Sequence, residues 1–231
     1  MKGVFITGTD TDCGKTEIAL ALMEALRQRG IAVLGMKPVA SGCELTPEGP
    51  RNDDARRLQA QGSREVPYEL INAYAFEPPI APHIAAGQAG VEIELDVIRE
   101  GAKNLMDQSD FLVVEGVGGW RVPLGPSLSL SDLPLALDLP VILVSGIRLG
   151  CINHTLLTLE SIRVSGARLT GWVANQIDPD MLVRNENLAT LAALIDAPCL
   201  GVVPWMAYPD PHQIAKHLDL APLLADLARE D

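Results

Sequence analysis

Residues 8–16 read Gly-Thr-Asp-Thr-Asp-Cys-Gly-Lys-Thr, and the chemistry this run offers is the holding of a polyphosphate. In a glycine-bounded turn that opens a helix, backbone N–H groups face an anion, a lysine reaches the β- and γ-phosphates, and the next hydroxyl ligates Mg²⁺. Lys15 and Thr16 fill the last two places. The common pattern G-x-x-x-x-G-K-[ST] has one residue fewer between its glycines than the five that separate Gly8 from Gly14 here. Counted from Thr9 the spacing is T-x-x-x-x-G-K-T, so only the first glycine is displaced and the mechanism survives. Asp10 and Asp12 are unexpected beside a polyanion. On a loop whose amides point inward, their carboxylates are free to point outward, toward a second substrate.

Phosphoryl transfer also needs carboxylates for the metal. Glu115 closes the apolar run Phe111-Leu112-Val113-Val114, where a Walker-B acid belongs, although aspartate is the commoner residue there. Gly116, Gly118 and Gly119 follow it and let the backbone approach a ligand. Asp53 and Asp54 stand in Pro-Arg-Asn-Asp-Asp-Ala-Arg at the opening of a helix; by residue type alone they read equally as metal-binding acids or as helix-capping residues. Lys37 directly follows a second apolar run, with Ser41 four residues on. By type and position alone, such a lysine is more often a snorkelling surface residue.

These residues need a scaffold that brings them to one edge, and the rest of the chain supplies its outline. Gly3–Thr7, 32–36, 111–114, 141–144 and 169–174 are short, nearly all-apolar runs that predict buried strands. Between them lie helical patterns: Ile18, Leu22, Ala25 and Leu26 recur at helical spacing before Gly30, and further helices are expected near 94–108, 152–165 and 183–195. Alternating strands and helices, with strands apolar on both faces, predict an α/β fold of three layers, a mostly parallel central sheet between helices. Loops fall at 44–54, 77–82, 178–180 and 207–212, none long enough to link two domains, so residues 1–231 are read as one domain. In such a sheet, ligands bind beyond the C-terminal strand ends, where residues 8–16, Lys37 and Glu115 would meet.

Composition narrows the partners. Hydrophobic residues make up 48% of the 231 positions but aromatics only 4%, which suits a core of Val, Leu, Ile and Ala. A net charge of −12 with no Lys/Arg block argues against nucleic acid and against an anionic membrane surface. No apolar run is long enough for a membrane span, and the N-terminus reads as a strand rather than a signal peptide. Cys13, Cys43, Cys151 and Cys199 are widely spaced without a histidine cluster, so a cytoplasmic protein with reduced thiols and no structural zinc is expected.

Seven segments then carry a resemblance: GTDTDCGKT, KPVASG followed by TPEGPRNDD, EPPIAPHIAA, VEGVGGW, LGCINHTLLT, GWVANQ and VVPW, which run in order from residue 3 to about residue 206. Together they resemble the dethiobiotin synthetases of biotin biosynthesis, in which the longer phosphate loop is the family's own form. The resemblance implies a P-loop homodimer that uses ATP and Mg²⁺ to join CO₂ to 7,8-diaminononanoate and close a cyclic urea.

By matching position, the resemblance implies catalytic roles for Lys37, Lys15, Thr11 and Ser41. It implies Mg²⁺ ligation by Thr16, Asp54 and Glu115. Nucleotide contacts would come from Asp12, Cys13, Gly14, Lys15, Thr16 and Glu17 in the loop, with Asp54, Glu115, Gly116, Val117 and Gly118. Asn175, Gln176, Pro204, Trp205 and Met206 would frame the adenine. Substrate would meet Thr11, Asp12, Lys37 and Ser41, and its carboxylate would meet Gly150, Cys151 and Asn153 of a partner subunit. A diamine makes acids beside the phosphate loop sensible, with Asp10 and Asp12 orienting an amine. Position 12 departs from the family's usual Glu, position 117 is Val instead of Ala, and the match fades after VVPW. The competing reading is a nucleotide-switch ATPase of the partitioning and division-site class. Those proteins carry an extra lysine where this chain has Asp10.

Overall fold

The computed structural model describes residues 3–227. The chain begins with strand β1 (Gly3–Gly8), helix α1 (Lys15–Arg27), β2 (Val33–Met36) and β3 (Val39–Ser41). A small hairpin, β4 (Glu44–Thr46) and β5 (Gly49–Arg51), precedes α2 (Asp53–Gln61), α3 (Tyr68–Ile71), β6 (Tyr74–Phe76), α4 (Pro82–Ala89) and α5 (Leu95–Met106). The second half runs β7 (Phe111–Glu115), α6 (Asp132–Ala136), β8 (Val141–Ile147), α7 (Cys151–Ser165), β9 (Leu169–Gln176), α8 (Arg184–Leu194), β10 (Cys199–Val203), α9 (Pro211–Ala215) and α10 (Ala221–Leu227).

Six strands form one sheet in the order β10-β9-β8-β1-β7-β2, every neighbouring pair parallel. Alternation along a strand sends successive side chains to opposite faces. Ile142, Val144 and Val173 enter one core cluster, while Val141, Leu143, Trp172 and Ala174 enter another. The sheet is therefore buried on both faces, which explains why β1, β7 and β8 read as nearly all-apolar runs. The first cluster takes the inner face of α1; the second takes Cys151, Leu159 and Ile162 of α7 and Leu191 of α8. Among the described residues no helix is long and apolar enough to cross a membrane.

The predicted strands and helices are in place, with several differences at the margins. Segment 44–54, expected as a loop, holds the β4–β5 hairpin and the first turn of α2. The expected loops at 77–82 and 207–212 run into α4 at Pro82 and α9 at Pro211, two prolines at helix starts. β10 was not expected; it is an edge strand with an alternately exposed pattern and gives no continuous apolar signal. The last residues, 228–231, lie outside the described residues.

What matters for the site is where the strands end. β1 lies between β7 and β8, with Ile6 paired to Glu115 and Gly8 to Val144. The turn after β1, the acid that ends β7 and the residue after β2 therefore emerge side by side, at the sheet edge where parallel α/β folds bind ligands.

Candidate active site

The turn between β1 and α1 is built around its two glycines and Cys13. The Cys13 side chain folds beneath the loop and is fully buried. A Cβ on Gly8 would lie 2.2 Å from its sulfur, so the displaced first glycine is the space that Cys13 occupies. Gly14 has φ of 90°, in the left-handed region, and a Cβ there would fall 2.0 Å from the Asn175 amide nitrogen. Asn175 Nδ2 donates to the Cys13 carbonyl at 2.9 Å, which ties the loop to the end of β9. The Lys15 ammonium crosses the loop and donates to the Asp10 carbonyl at 2.8 Å.

Four elements converge next to it. Thr16 Oγ1 at the start of α1 donates to Glu115 Oε1 at the end of β7, at 2.8 Å. The same oxygen accepts from Lys37 Nζ at 2.7 Å, and Lys37 also donates to Asp54 Oδ2 in the first turn of α2. Glu115 is fully buried, and its second oxygen has no partner among the described residues. Burial opposes the charge on Lys37, but the Glu115 and Asp54 carboxylates outweigh it and hold the ammonium above the usual lysine range. Burial likewise opposes the charge on Asp54; Lys37 outweighs it, so this carboxyl sits below the usual aspartate range.

A polar relay positions Lys37 and Asp54 together. The backbone N–H of Asn52 donates to the Tyr68 hydroxyl, which donates to Asn72 Oδ1, and Asn72 Nδ2 donates to the Lys37 carbonyl at 2.7 Å. Asn52 also caps α2, its Oδ1 accepting from the Ala55 N–H, so the cap is Asn52 and neither aspartate has that task. Asp54 is thereby left to point at Lys37. Sequence reasoning missed Asn52, Tyr68 and Asn72; an Asn directly before Asp-Asp-Ala is a helix-start signature, and nothing local marks the other two.

Lys15, Thr16, Lys37, Asn52, Asp54, Arg57 and Glu115 line a cavity of about 370 Å³ together with Thr11, Asp12, Gly14, Glu17, Ser41, Val117 and Gly118. The Ser41 hydroxyl is buried and unpartnered. Gly116 does not reach the cavity; it packs between Phe5 and Leu130, where a Cβ would come within 3.2 Å of both. A second cavity of about 200 Å³ shares Gly14 and Glu17 with the first and is lined by Asn175, Gln176, Pro204, Trp205 and Met206. Gln176 Oε1 accepts from Arg184 at 2.6 Å and from the Trp205 N–H at 3.4 Å, which fixes that wall.

The Asp10 carboxylate lines neither cavity. It takes Arg148 at 2.6 Å and the Thr11 N–H at 2.8 Å, so the acid that faces the larger cavity is Asp12. Gly150, Cys151 and Asn153 also lie outside both cavities: Cys151 is buried, and Asn153 is exposed on the first turn of α7. A further cavity, about 510 Å³, opens at the N-terminal end of β9, away from all of these groups.

The residues fit a hard divalent cation. Among the described residues no cluster of three or more His, Cys, Asp or Glu side chains exists to form a protein-only cage. Thr16, Asp54 and the unpartnered Glu115 oxygen instead form a small oxygen set beside a phosphate loop, the kind of site in which Mg²⁺ keeps waters and phosphate oxygens as its other ligands.

A polyphosphate-binding turn after the central strand, an acid on the neighbouring strand and a parallel sheet define the P-loop class of α/β folds. Solved structures agree on the fold. The chain is similar to the MinC:MinD cell division protein complex of Aquifex aeolicus, with a TM-score of 0.55, 15% identity, and coverage of 99% of this chain and 90% of that one. It is similar to cell division protein ftsY from Thermotoga maritima, with a TM-score of 0.53 and 14% identity over 93% of this chain and 67% of that one. A family profile described as an AAA domain matches residues 2–213. The chain is 54% identical to an ATP-dependent dethiobiotin synthetase of Cellvibrio japonicus over 96% of its length and 98% of the relative's. It is 48% identical to one of Chromohalobacter salexigens, over 95% and 98%. The chain belongs to the family of ATP-dependent dethiobiotin synthetases.

Proposed function

We propose that this chain uses ATP and Mg²⁺ to carboxylate 7,8-diaminononanoate with CO₂ and close the product to dethiobiotin, in the cavity that holds Lys15, Lys37 and Glu115. The single observation that carries the reading is the convergence there of a phosphate loop, a buried lysine shared by two carboxylates, and the polar groups Thr11, Asp12 and Ser41 on the remaining wall.

The chemistry takes three steps. One substrate amine adds to CO₂ and loses a proton, giving a carbamate. A carbamate oxygen attacks the γ-phosphorus and ADP leaves, giving a carbamic–phosphoric anhydride. The neighbouring amine attacks that carbonyl carbon, the C–O bond breaks, and the cyclic urea and phosphate are released. The protein's part is positioning and charge stabilisation. Lys15 meets the phosphates, Thr16, Asp54 and Glu115 hold the metal, and Lys37 meets the carbamate and the transferring group. When bound, Mg²⁺ supplies charge neutralisation at the phosphate oxygens. Asp12 accepts from an amine, Thr11 and Ser41 contact the carbamate, and the Asn175–Met206 cavity receives the adenine.

A homodimer completes the site in this reading. Leu149, just before α7, is 90% exposed, and Leu157 and Val164, 57% and 87% exposed, share one face of α7 with Asn153 by their spacing. A second copy packed on that face would bring its first α7 turn to the substrate carboxylate. We place the reaction in the cytoplasm, where the four free cysteines stay reduced.

Oxygen transfer tests the mechanism. With ¹⁸O-labelled CO₂ in single turnover, the released phosphate acquires one ¹⁸O, because the carbamate oxygen leaves with phosphorus. Unlabelled phosphate formed alongside dethiobiotin would rule out the carbamic–phosphoric anhydride.

A further inference from the structure

Arg57 reaches across from α2 to Glu17 on α1 and grips its carboxylate with both arms, Nη1 to Oε1 at 2.7 Å and Nη2 to Oε2 at 2.8 Å. Glu17 lies next to Thr16 and lines both the phosphate cavity and the adenine cavity. Arg57 is one turn beyond Asp54 and lines the phosphate cavity. A carboxylate placed between these cavities is a liability for a ligand that carries several negative charges.

The local charges make Arg57 decisive. The acids lining the phosphate cavity are Asp12, Glu17, Asp54 and Glu115; the bases are Lys15, Lys37 and Arg57. Lys37 is committed to Asp54 and Glu115, and Lys15 donates to the loop's own carbonyl. Arg57 is therefore the cation that compensates Glu17. The pair is partly sheltered, with side-chain exposures of 34% and 21%. Bidentate guanidinium–carboxylate geometry is the strong form of such a contact.

We propose that Arg57 sets nucleotide affinity by neutralising Glu17, whose carboxylate otherwise faces the phosphates. This rests on the reading that the phosphate-loop cavity holds the nucleotide. A merely structural brace between α1 and α2 would be broken alike by loss of either partner. Charge masking instead gives effects of opposite sign. Arg57→Gln bares a carboxylate toward the phosphates; Glu17→Gln frees a guanidinium beside them.

The experiment is calorimetric titration of the full chain with ADP at constant Mg²⁺, using Arg57→Gln, Glu17→Gln, the double variant and Lys15→Ala, each checked by melting curve. Arg57→Gln is expected to weaken ADP by about tenfold and Glu17→Gln to tighten it by about threefold, with the double variant within about twofold of the parent. The Arg57→Gln effect shrinks in about 0.5 M salt, because the pair is partly exposed. Equal weakening by both single variants, with Lys15→Ala abolishing binding, overturns the masking role and leaves the nucleotide site standing. An unchanged affinity in Lys15→Ala overturns the site itself and the masking role with it.

Discussion

Replacing Lys37 by methionine removes the charge and keeps most of the side chain's length. The lysine it replaces is 5% exposed, and its ammonium neutralises two carboxylates, of which Glu115 is completely buried. Removing one partner of a buried ion pair costs about 3–5 kcal/mol, because the other charge stays buried and uncompensated. Asp54 is 35% exposed, so water shares its load and the lower end applies, about 3 kcal/mol. For a chain of this size that lowers Tm by about 6–12 °C. A divalent cation bound by the same carboxylates reverses the loss: at a hundredfold excess over its Kd it returns about 2.7 kcal/mol. The assay is thermal unfolding of parent and Lys37→Met in EDTA and in Mg²⁺. The variant should melt well below the parent in EDTA and recover most of the difference in Mg²⁺, while the parent gains little. A variant that melts with the parent in EDTA would refute the charge pairing, and a variant that gains nothing from Mg²⁺ would refute the shared metal site.

Gly14→Ala forces a side chain into a left-handed residue and onto the Asn175 amide. A cost of about 2 kcal/mol placed on the bound loop corresponds to roughly thirtyfold weaker ADP binding by titration; unchanged affinity would contradict the loop's role. Lys37 holds Asp54 below its ordinary range, so the stability from this pair is present above about pH 4 and lost as pH falls below that value. The Tm gap between parent and Asp54→Asn should therefore be constant from about pH 5 to 9 and close in acid, as a pH series of melts will read. Asn153→Ala should raise the KM for the diamine at least about tenfold with KM for ATP unchanged; no change in either would remove α7 from the substrate site.

The sheet was legible because burial on both faces leaves β1, β7 and β8 mostly apolar, with polar residues only toward their C-terminal ends. The hairpin at 44–51 was not, because its three-residue strands pair mainly with each other and are half or fully exposed. Lys15, Thr16 and Glu115 follow from local pattern, since each stands at the end of a strand or the start of a helix. Lys37 was ambiguous for a physical reason: whether a lysine after a strand snorkels or is buried depends on what lies opposite. Here that is Asp54, 17 positions away, and Glu115, 78 positions away. The same holds for Glu17 and Arg57, 40 positions apart, and for the Asn52–Tyr68–Asn72 relay. Asp10 shows the opposite limit. The family resemblance suggested an amine partner, but Arg148, distant in sequence, takes its carboxylate.

The most direct measurement is turnover of the purified chain with ATP, Mg²⁺, bicarbonate and 7,8-diaminononanoate, following phosphate release and product mass together. Phosphate release that requires both the diamine and CO₂, with one dethiobiotin formed for each phosphate, is the predicted result. ATP hydrolysis at the same rate without the diamine, and with no dethiobiotin, would contradict it.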